Sequence, residues 1–277
     1  MKELLVVVLI VISVLITVVG CAGEETKSIT VFCSSASKPA MEEAAQVFEE
    51  EAGITVYLTF GGSGTMLSQM KLGKTGDIYL PASPDFMELA ARDRIVEPEN
   101  TYTVAYLFPV ILVPAGNPKR ILTLADLARP GITVAIGNPE AVAIGRYAVE
   151  LFESNNLLAE IDDNIITMAE NVSKLTSIVA LNSVDAVVAW QVNAIGSDMV
   201  EAVHLEPPEI PRVAYISGAV SLYAENKESA GEFLEFLTSS RGQDIFKRRG
   251  YLATEEEIKE FAPYAEIGGD YILPEGY

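Results

Sequence analysis

Positive charge is scarce in this chain. Its 277 residues hold 19 lysines and arginines against 39 aspartates and glutamates, a formal net charge of −20. That balance argues against nucleic acid and anionic lipid as partners, because both repel an acidic chain. Histidine occurs once, at His204. A single imidazole gives no zinc-ligand spacing and leaves a Ser–His or Cys–His nucleophile pair dependent on that one residue. Cysteine occurs twice, at Cys21 and Cys33. With Cys21 at the edge of an apolar N-terminal run, the rest of the chain has no disulfide to draw on, and its stability rests on packing. Hydrophobic residues make up 49% of the chain, enough for a sizeable core. There is no internal repeat and no low-complexity tract.

What is present begins at the N-terminus. Met1-Lys2-Glu3 precedes an almost wholly apolar run over residues 4–20, and Val18-Val19-Gly20 leads into Cys21. A short charged start, an apolar stretch and small residues before a cleavage point describe an export signal over residues 1–20. The Val-Val-Gly-Cys ending resembles a bacterial lipobox, in which the thiol of Cys21 is lipidated and becomes the new N-terminus. An uncleaved anchor is the alternative, since about 20 apolar residues span a bilayer. In both cases the remainder is expected to work outside the cytoplasm, tied to the membrane face. Residues 21–28 read as a tether.

Beyond the tether, short apolar runs alternate with helical runs. Strands are predicted over residues 29–32, 54–60 and 77–80, and helices over 39–52, 65–72 and 84–92. After the long apolar stretch 106–113 the alternation starts again. Strands at 132–136, 165–168 and 185–189 alternate with helices at 141–152 and 172–181. A proline-rich passage, residues 206–211, ends this series. A strand over 213–223 and amphipathic helices over 228–237 and 242–249 follow. Strands alternating with helices imply parallel α/β sheets. The second series is inserted into the first, so two α/β lobes are expected: residues 29–107 with 214–277, and residues 108–213. Two crossing segments would join them, with a cleft between.

In a parallel α/β sheet, ligands bind past the carboxyl ends of the strands, where loops feed helix N-termini. Those ends carry unpaired N–H groups and partial positive charge. Gly61-Gly62-Ser63-Gly64-Thr65 is such a junction, with little Cβ bulk and two hydroxyls. A flexible turn with a serine cap is the plainer reading of that stretch alone. Cys33-Ser34-Ser35-Ala36-Ser37 crowds three hydroxyls at the preceding junction. Gly137-Asn138-Pro139-Glu140 and Glu170-Asn171-Val172 are the corresponding places in the second series. Other motifs fail. Leu72-Gly73-Lys74-Thr75 ends like a P-loop, but Ser68 stands where the pattern needs glycine. Gly61-x-Ser63-x-Thr65 lacks the last glycine of a nucleophile elbow. Paired acids such as Asp162-Asp163 read as solvated faces.

Four segments together resemble the molybdate/tungstate-binding proteins of ABC importers, which are two-lobed solute receptors of the periplasmic-binding-protein-like fold. They are "ITVFCSSASKPAMEEAAQVFEEEAGI", "LTFGGSGTMLSQMKLGKTGDIYLPAS", "ITVAIGNPEAVAIGRYA" and "SVDAVVAWQVNAI". The resemblance implies a tetrahedral dianion held by neutral donors from both lobes. It places Ser63 and Gly64 on the second loop, and backbone donors at Ile144 and Val172. Trp190 falls where many relatives carry a tyrosine, and its indole N–H is also a donor. In the first loop the family's serine falls on Ala36, so Ser34 or Ser35 is expected to supply the hydroxyl. No catalytic residue, cofactor or resident metal is implied. The expected partners are molybdate or tungstate and an ABC permease, with the receptor a monomer. A sulfate receptor and an extracellular anion sensor are the alternatives. A hydrolase using Ser63 or Cys33 would need His204 in the cleft.

Overall fold

The computed structural model describes residues 27–277. The predicted signal, Cys21 and most of the tether lie outside the described residues. Two sheets carry the chain. The first holds β1 (Ser28–Ser34), β2 (Thr55–Gly61), β3 (Ile78–Leu80), β4 (Val96–Leu107), β10 (Arg212–Ser221) and β11 (Glu266–Ile267). The second holds β5 (Pro109–Pro114), β6 (Val134–Gly137), β7 (Ile165–Ala169), β8 (Ala186–Trp190) and β9 (Val200–Val203). β1 runs parallel to β2 and β3, and β6 runs parallel to β7 and β8. Both lobes are therefore built on parallel α/β units, the fold class expected from the alternation.

The helices fall where the apolar period puts them. They are α1 (Lys38–Ala52), α2 (Ser63–Gly73), α3 (Pro84–Arg92), α4 (Ala143–Ser154), α5 (Leu158–Asp162) and α6 (Val172–Ala180). After the second crossing come α7 (Lys227–Thr238), α8 (Ser240–Arg248) and α9 (Glu255–Phe261). In α1, Met41, Ala44, Ala45 and Phe48 are buried, the spacing of a single helical face. Phe48 meets Phe233 and Phe236 of α7, with ring centroids 5.0 and 5.4 Å away. Gly53 ends α1 in the left-handed conformation that a C-terminal glycine adopts most easily.

The two lobes use the same device at the start of a central strand. The carboxylate of Asp77, just before β3, accepts the Thr30 N–H at 2.7 Å. The carboxylate of Asp185, just before β8, accepts the Thr133 N–H at 2.8 Å. Each aspartate satisfies a backbone donor at the beginning of the neighbouring parallel strand, where the ladder leaves it open.

The apolar stretch 106–113 is not one strand. β4 ends at Leu107 in the first sheet and β5 begins at Pro109 in the second. Between them, the Phe108 N–H donates to Gln191 Oε1 at 3.0 Å, and the Gln191 N–H donates back to the Phe108 carbonyl at 3.1 Å. Proline offers no N–H to carry the first ladder onward. The return crossing lies beside the outgoing one, with Ala214 of β10 opposite Leu107 of β4. Missed from sequence were the exposed first half of β4, the short strands β9 and β11, helix α5, and helix α9 with the tail behind it. Among the described residues, no helix is long and apolar enough to cross a membrane.

Glu43 of α1 fixes α8 from outside. It accepts from Arg248 Nη2 at 2.7 Å and from Arg249 Nε at 2.9 Å. The hydrogen bond from Arg248, with that from Arg249 next, holds its carboxyl below the ordinary glutamate range. A depressed carboxylate stabilises the fold above its unfolded pKa of about 4.3 and loses that contribution as pH falls through the folded value. Glu43→Gln is expected to melt below the wild type at pH 7. The two melting curves should converge as pH drops under the carboxylate range, in thermal scans across pH.

Candidate functional site

Four strand-to-helix junctions and one strand end meet between the lobes. The first follows β1. Ser34 caps a short 3₁₀ turn, Ser35–Ser37, its Oγ accepting from the Ala36 N–H at 3.4 Å. The Ser37 hydroxyl donates to the Ser34 carbonyl at 2.8 Å, and the Tyr251 hydroxyl donates to the Ala36 carbonyl. Ser35 is left over. Its Oγ is buried and has no hydrogen-bond partner. A buried hydroxyl without a partner costs about 1–3 kcal/mol, so something is expected to meet it.

The second junction follows β2. Gly62 caps α2, and Ser63 opens the helix fully buried. Ser63 Oγ accepts the Ala82 N–H at 3.2 Å, and its carbonyl accepts the Tyr79 hydroxyl at 2.9 Å. A hydroxyl that accepts one bond still holds a proton to donate. The Gly64 N–H is used differently, donating across the lobes to the Ala141 carbonyl at 2.8 Å.

The third junction leads from β6 into α4. The Asn138 carbonyl accepts from the Ala141 and Val142 N–H groups at 3.0 and 2.8 Å, winding the loop tightly. Ile144 is the second residue of α4, so its N–H has no carbonyl a turn back within the helix. Gly145 permits the approach of helix to strand: a Cβ there would lie 2.2 Å from the Gly137 carbonyl oxygen. At the fourth junction Asn171 caps α6, its Oδ1 accepting from the Lys174 N–H at 2.9 Å, and Val172 opens the helix. Trp190 ends β8, 1% exposed, its ring edge-on to Tyr147 at 5.1 Å.

Direct contacts bring these segments together. A Cβ on Gly62 would stand 2.6 Å from the Ala141 carbonyl oxygen and 2.7 Å from that of Glu170. The start of α2 is therefore wedged against the loops that open α4 and α6. Ser35 shares a groove of about 310 Å³ with Ser173, Thr176, Val192 and Asn193, and Lys38 lines the same groove. Asn193 in turn accepts the Trp190 N–H at 3.0 Å. Ser35, Ser63, Ile144, Val172 and Trp190 thus sit on segments that touch one another. Gly64, also expected as a donor, has its N–H engaged by Ala141, while Ser34 Oγ, like Ser63 Oγ, accepts one bond and keeps its proton.

The donors are neutral. Glu140 and Glu170, the acids of the junction loops, are exposed. Among the described residues, sequence reasoning missed four further buried hydroxyls without a partner: Ser217 and Ser229, and, nearer the junctions, Ser83 before α3 and Tyr147 in α4. Ser83 stands at the third βα junction of the first sheet, directly before Pro84, a cap pattern that marks it. Tyr147 lies inside a helix and carries no such signal. Burial pushes its hydroxyl well above the ordinary tyrosine range, so it stays protonated and able to donate. Burial also pushes the Cys33 thiol far up, which removes it as a nucleophile. His204 is exposed beside the Phe108 ring.

A family model for bacterial extracellular solute-binding proteins matches residues 29–252. This chain is a member of that family. Its relatives include the putative ABC transporter substrate-binding lipoprotein YvgL of Bacillus subtilis, 26% identical over 85% of this chain and 93% of that protein. The molybdate-binding protein ModA of Escherichia coli is 24% identical over 84% of this chain and 92% of its own length. Among solved structures, the sulfate-binding protein SubI of Mycobacterium tuberculosis shares the fold at a TM-score of 0.74, with 17% identity. That match covers 87% of this chain and 94% of SubI. Membership makes the chain an extracellular solute-binding protein. It binds its solute without chemical change.

Gly62→Ala tests the contact between lobes. The φ of −66° and ψ of 146° at Gly62 suit alanine, so the folding cost should stay within about 1 kcal/mol. The added Cβ cannot coexist with the Ala141 and Glu170 carbonyls where they stand. Melting temperature should change little, while small-angle scattering should show the lobes held apart. A variant as compact as the wild type would refute this reading of Gly62.

Proposed function

We propose that this protein captures a small, fully deprotonated oxyanion, molybdate or tungstate, in the cleft between its lobes and hands it to a permease. The carrying observation is the meeting of neutral donors at several helix starts. Ser35 and Ser63 supply hydroxyls, Ile144 and Val172 supply backbone N–H groups, and the Trp190 indole supplies another N–H. Partial positive charge at helix starts offsets the anion where no basic side chain is needed. Both first-loop hydroxyls keep a proton to donate; Ser35 is favoured because its Oγ is buried without a partner, whereas Ser34 Oγ is already held in its own turn.

The donor set also argues the anion class. Monohydrogen phosphate carries a proton and needs an acceptor, and the acids of the junction loops point to solvent. Molybdate, tungstate and sulfate are satisfied by donors alone. Molybdate and tungstate are favoured by the relatedness to ModA, and sulfate is the second reading on the likeness to SubI. Lobe boundaries near residues 107 and 213 place the hinge at the paired crossings. Lipidation at Cys21 would tether a monomeric receptor to the outer face of the membrane.

Calorimetric titration with molybdate, tungstate, sulfate and phosphate tests the reading. Binding of the first two, with silence toward phosphate, is expected. Ser35→Ala should weaken binding by about 1–3 kcal/mol, the worth of a hydrogen bond to a charged group. Because Ser35 has no partner within the protein, the same change should leave the melting temperature without anion unchanged or raised. Silence toward molybdate, tungstate and sulfate alike would sink the proposal.

A further inference from the structure

A second set of contacts ties the lobes together away from the helix starts. Arg212 opens β10, directly after the return crossing, and its side chain is 2% exposed. Its Nη1 donates to both carboxylate oxygens of Asp85 in α3 at 3.1 Å, and to the Gly269 carbonyl at 2.8 Å. Its Nε donates to Glu150 in α4 at 2.7 Å. The guanidinium lies 4.1 Å over the ring of Tyr147. One buried cation therefore joins α3 of the first lobe, α4 of the second and the C-terminal tail.

The tail continues the connection. It leaves the first sheet after β11, where the Gly268 N–H donates to the Val213 carbonyl at 2.9 Å. It then lies on helices of the other lobe. The Tyr271 hydroxyl donates to Glu153 of α4 at 2.6 Å, and the Tyr277 hydroxyl donates to Asp162 of α5. Arg146 of α4 reaches the Tyr271 carbonyl at 3.5 Å. This segment lies beyond residue 252, where the match to the family ends.

We infer that residues 268–277, anchored on Arg212, form a strap that holds the two lobes closed and thereby sets how tightly the solute is bound. The inference rests on the cleft-closing reading above for its effect on affinity, but not for the strap itself. Opening the lobes would carry α4 and α5 away from a tail rooted in the first sheet, breaking the Tyr271 and Tyr277 bonds. It would also part Arg212 from Glu150 and leave buried charge to be rehydrated. A solute that binds only the closed form sees an affinity scaled by the closed fraction, so Tyr271 and Tyr277 act as positioning residues from outside the site.

The Gly64 N–H, bonded across the lobes to Ala141, reports closure directly. Hydrogen exchange at that amide is to be followed without added anion in the wild type, in Tyr271→Phe with Tyr277→Phe, and in Glu153→Ala. Removing Arg212 would strand two carboxylates, so it is spared. Exchange at Gly64 is expected to quicken about fivefold to tenfold in the strap variants, the worth of an ordinary protein hydrogen bond. Amides inside α7 should stay as protected as before, which a general loss of stability would not allow. Glu153→Gln keeps an acceptor and should restore much of the protection. Molybdate affinity should fall in proportion to the closed fraction. Unchanged exchange at Gly64 in the strap variants overturns the strap, whatever the anion titrations show. Quickened exchange with no anion bound by any variant upholds the strap and removes the oxyanion reading instead.

Discussion

The close approach of α2 to the loops that open α4 and α6 governs this structure. It requires a residue without a side chain at Gly62, because two carbonyl oxygens from the other lobe occupy the space a Cβ would take. It gives the Gly64 N–H its partner in Ala141. It also sets three helix starts around one region, where a first-turn N–H such as that of Ile144 has no carbonyl a turn back within its helix. Local positive potential in a chain of net charge −20 is built from peptide dipoles in this way, without placing a basic side chain among the donors.

The rest of the fold holds that approach in place. Parallel strands deliver each loop at their carboxyl ends, and the aspartates before β3 and β8 close the opposite ends of the ladders. Phe108 and Gln191 lock the switch between sheets through reciprocal bonds, directly beside Trp190. Arg212 follows the return crossing, so a buried charge network lies beside the two chain segments that join the sheets. Such a network adds little net stability compared with apolar packing, but it is costly to break halfway. That is the property a two-position joint needs.

Much of this was legible from residue patterns. Pro84 to Arg92 was predicted with the same bounds the helix shows, because proline fixes its first turn. Other boundaries moved by one or two residues, where caps and 3₁₀ turns decide the ends. The apolar run 106–113 read as a crossing segment, but hydrophobicity does not reveal where within it one strand ends and the next begins. The first half of β4 is polar and exposed, so it carries no strand period. The tail beyond α9 has neither period nor motif, and its meaning lies wholly in what it touches.

The sequence by itself determined the alternation of strands and helices, the places where helices begin, and the neutral character of the groups gathered there. Those follow from local preferences of glycine, serine, proline and apolar spacing. Only the tertiary structure decided which donors remain free. The Gly64 N–H is engaged by Ala141, Ser34 Oγ accepts from Ala36 but keeps its proton, Ser63 is oriented by Ala82 and Tyr79, and Ser35 is left unpaired. Most of these partners are far away along the chain, and a hydrogen bond between distant residues exists only once packing has brought them within 3 Å or so of each other.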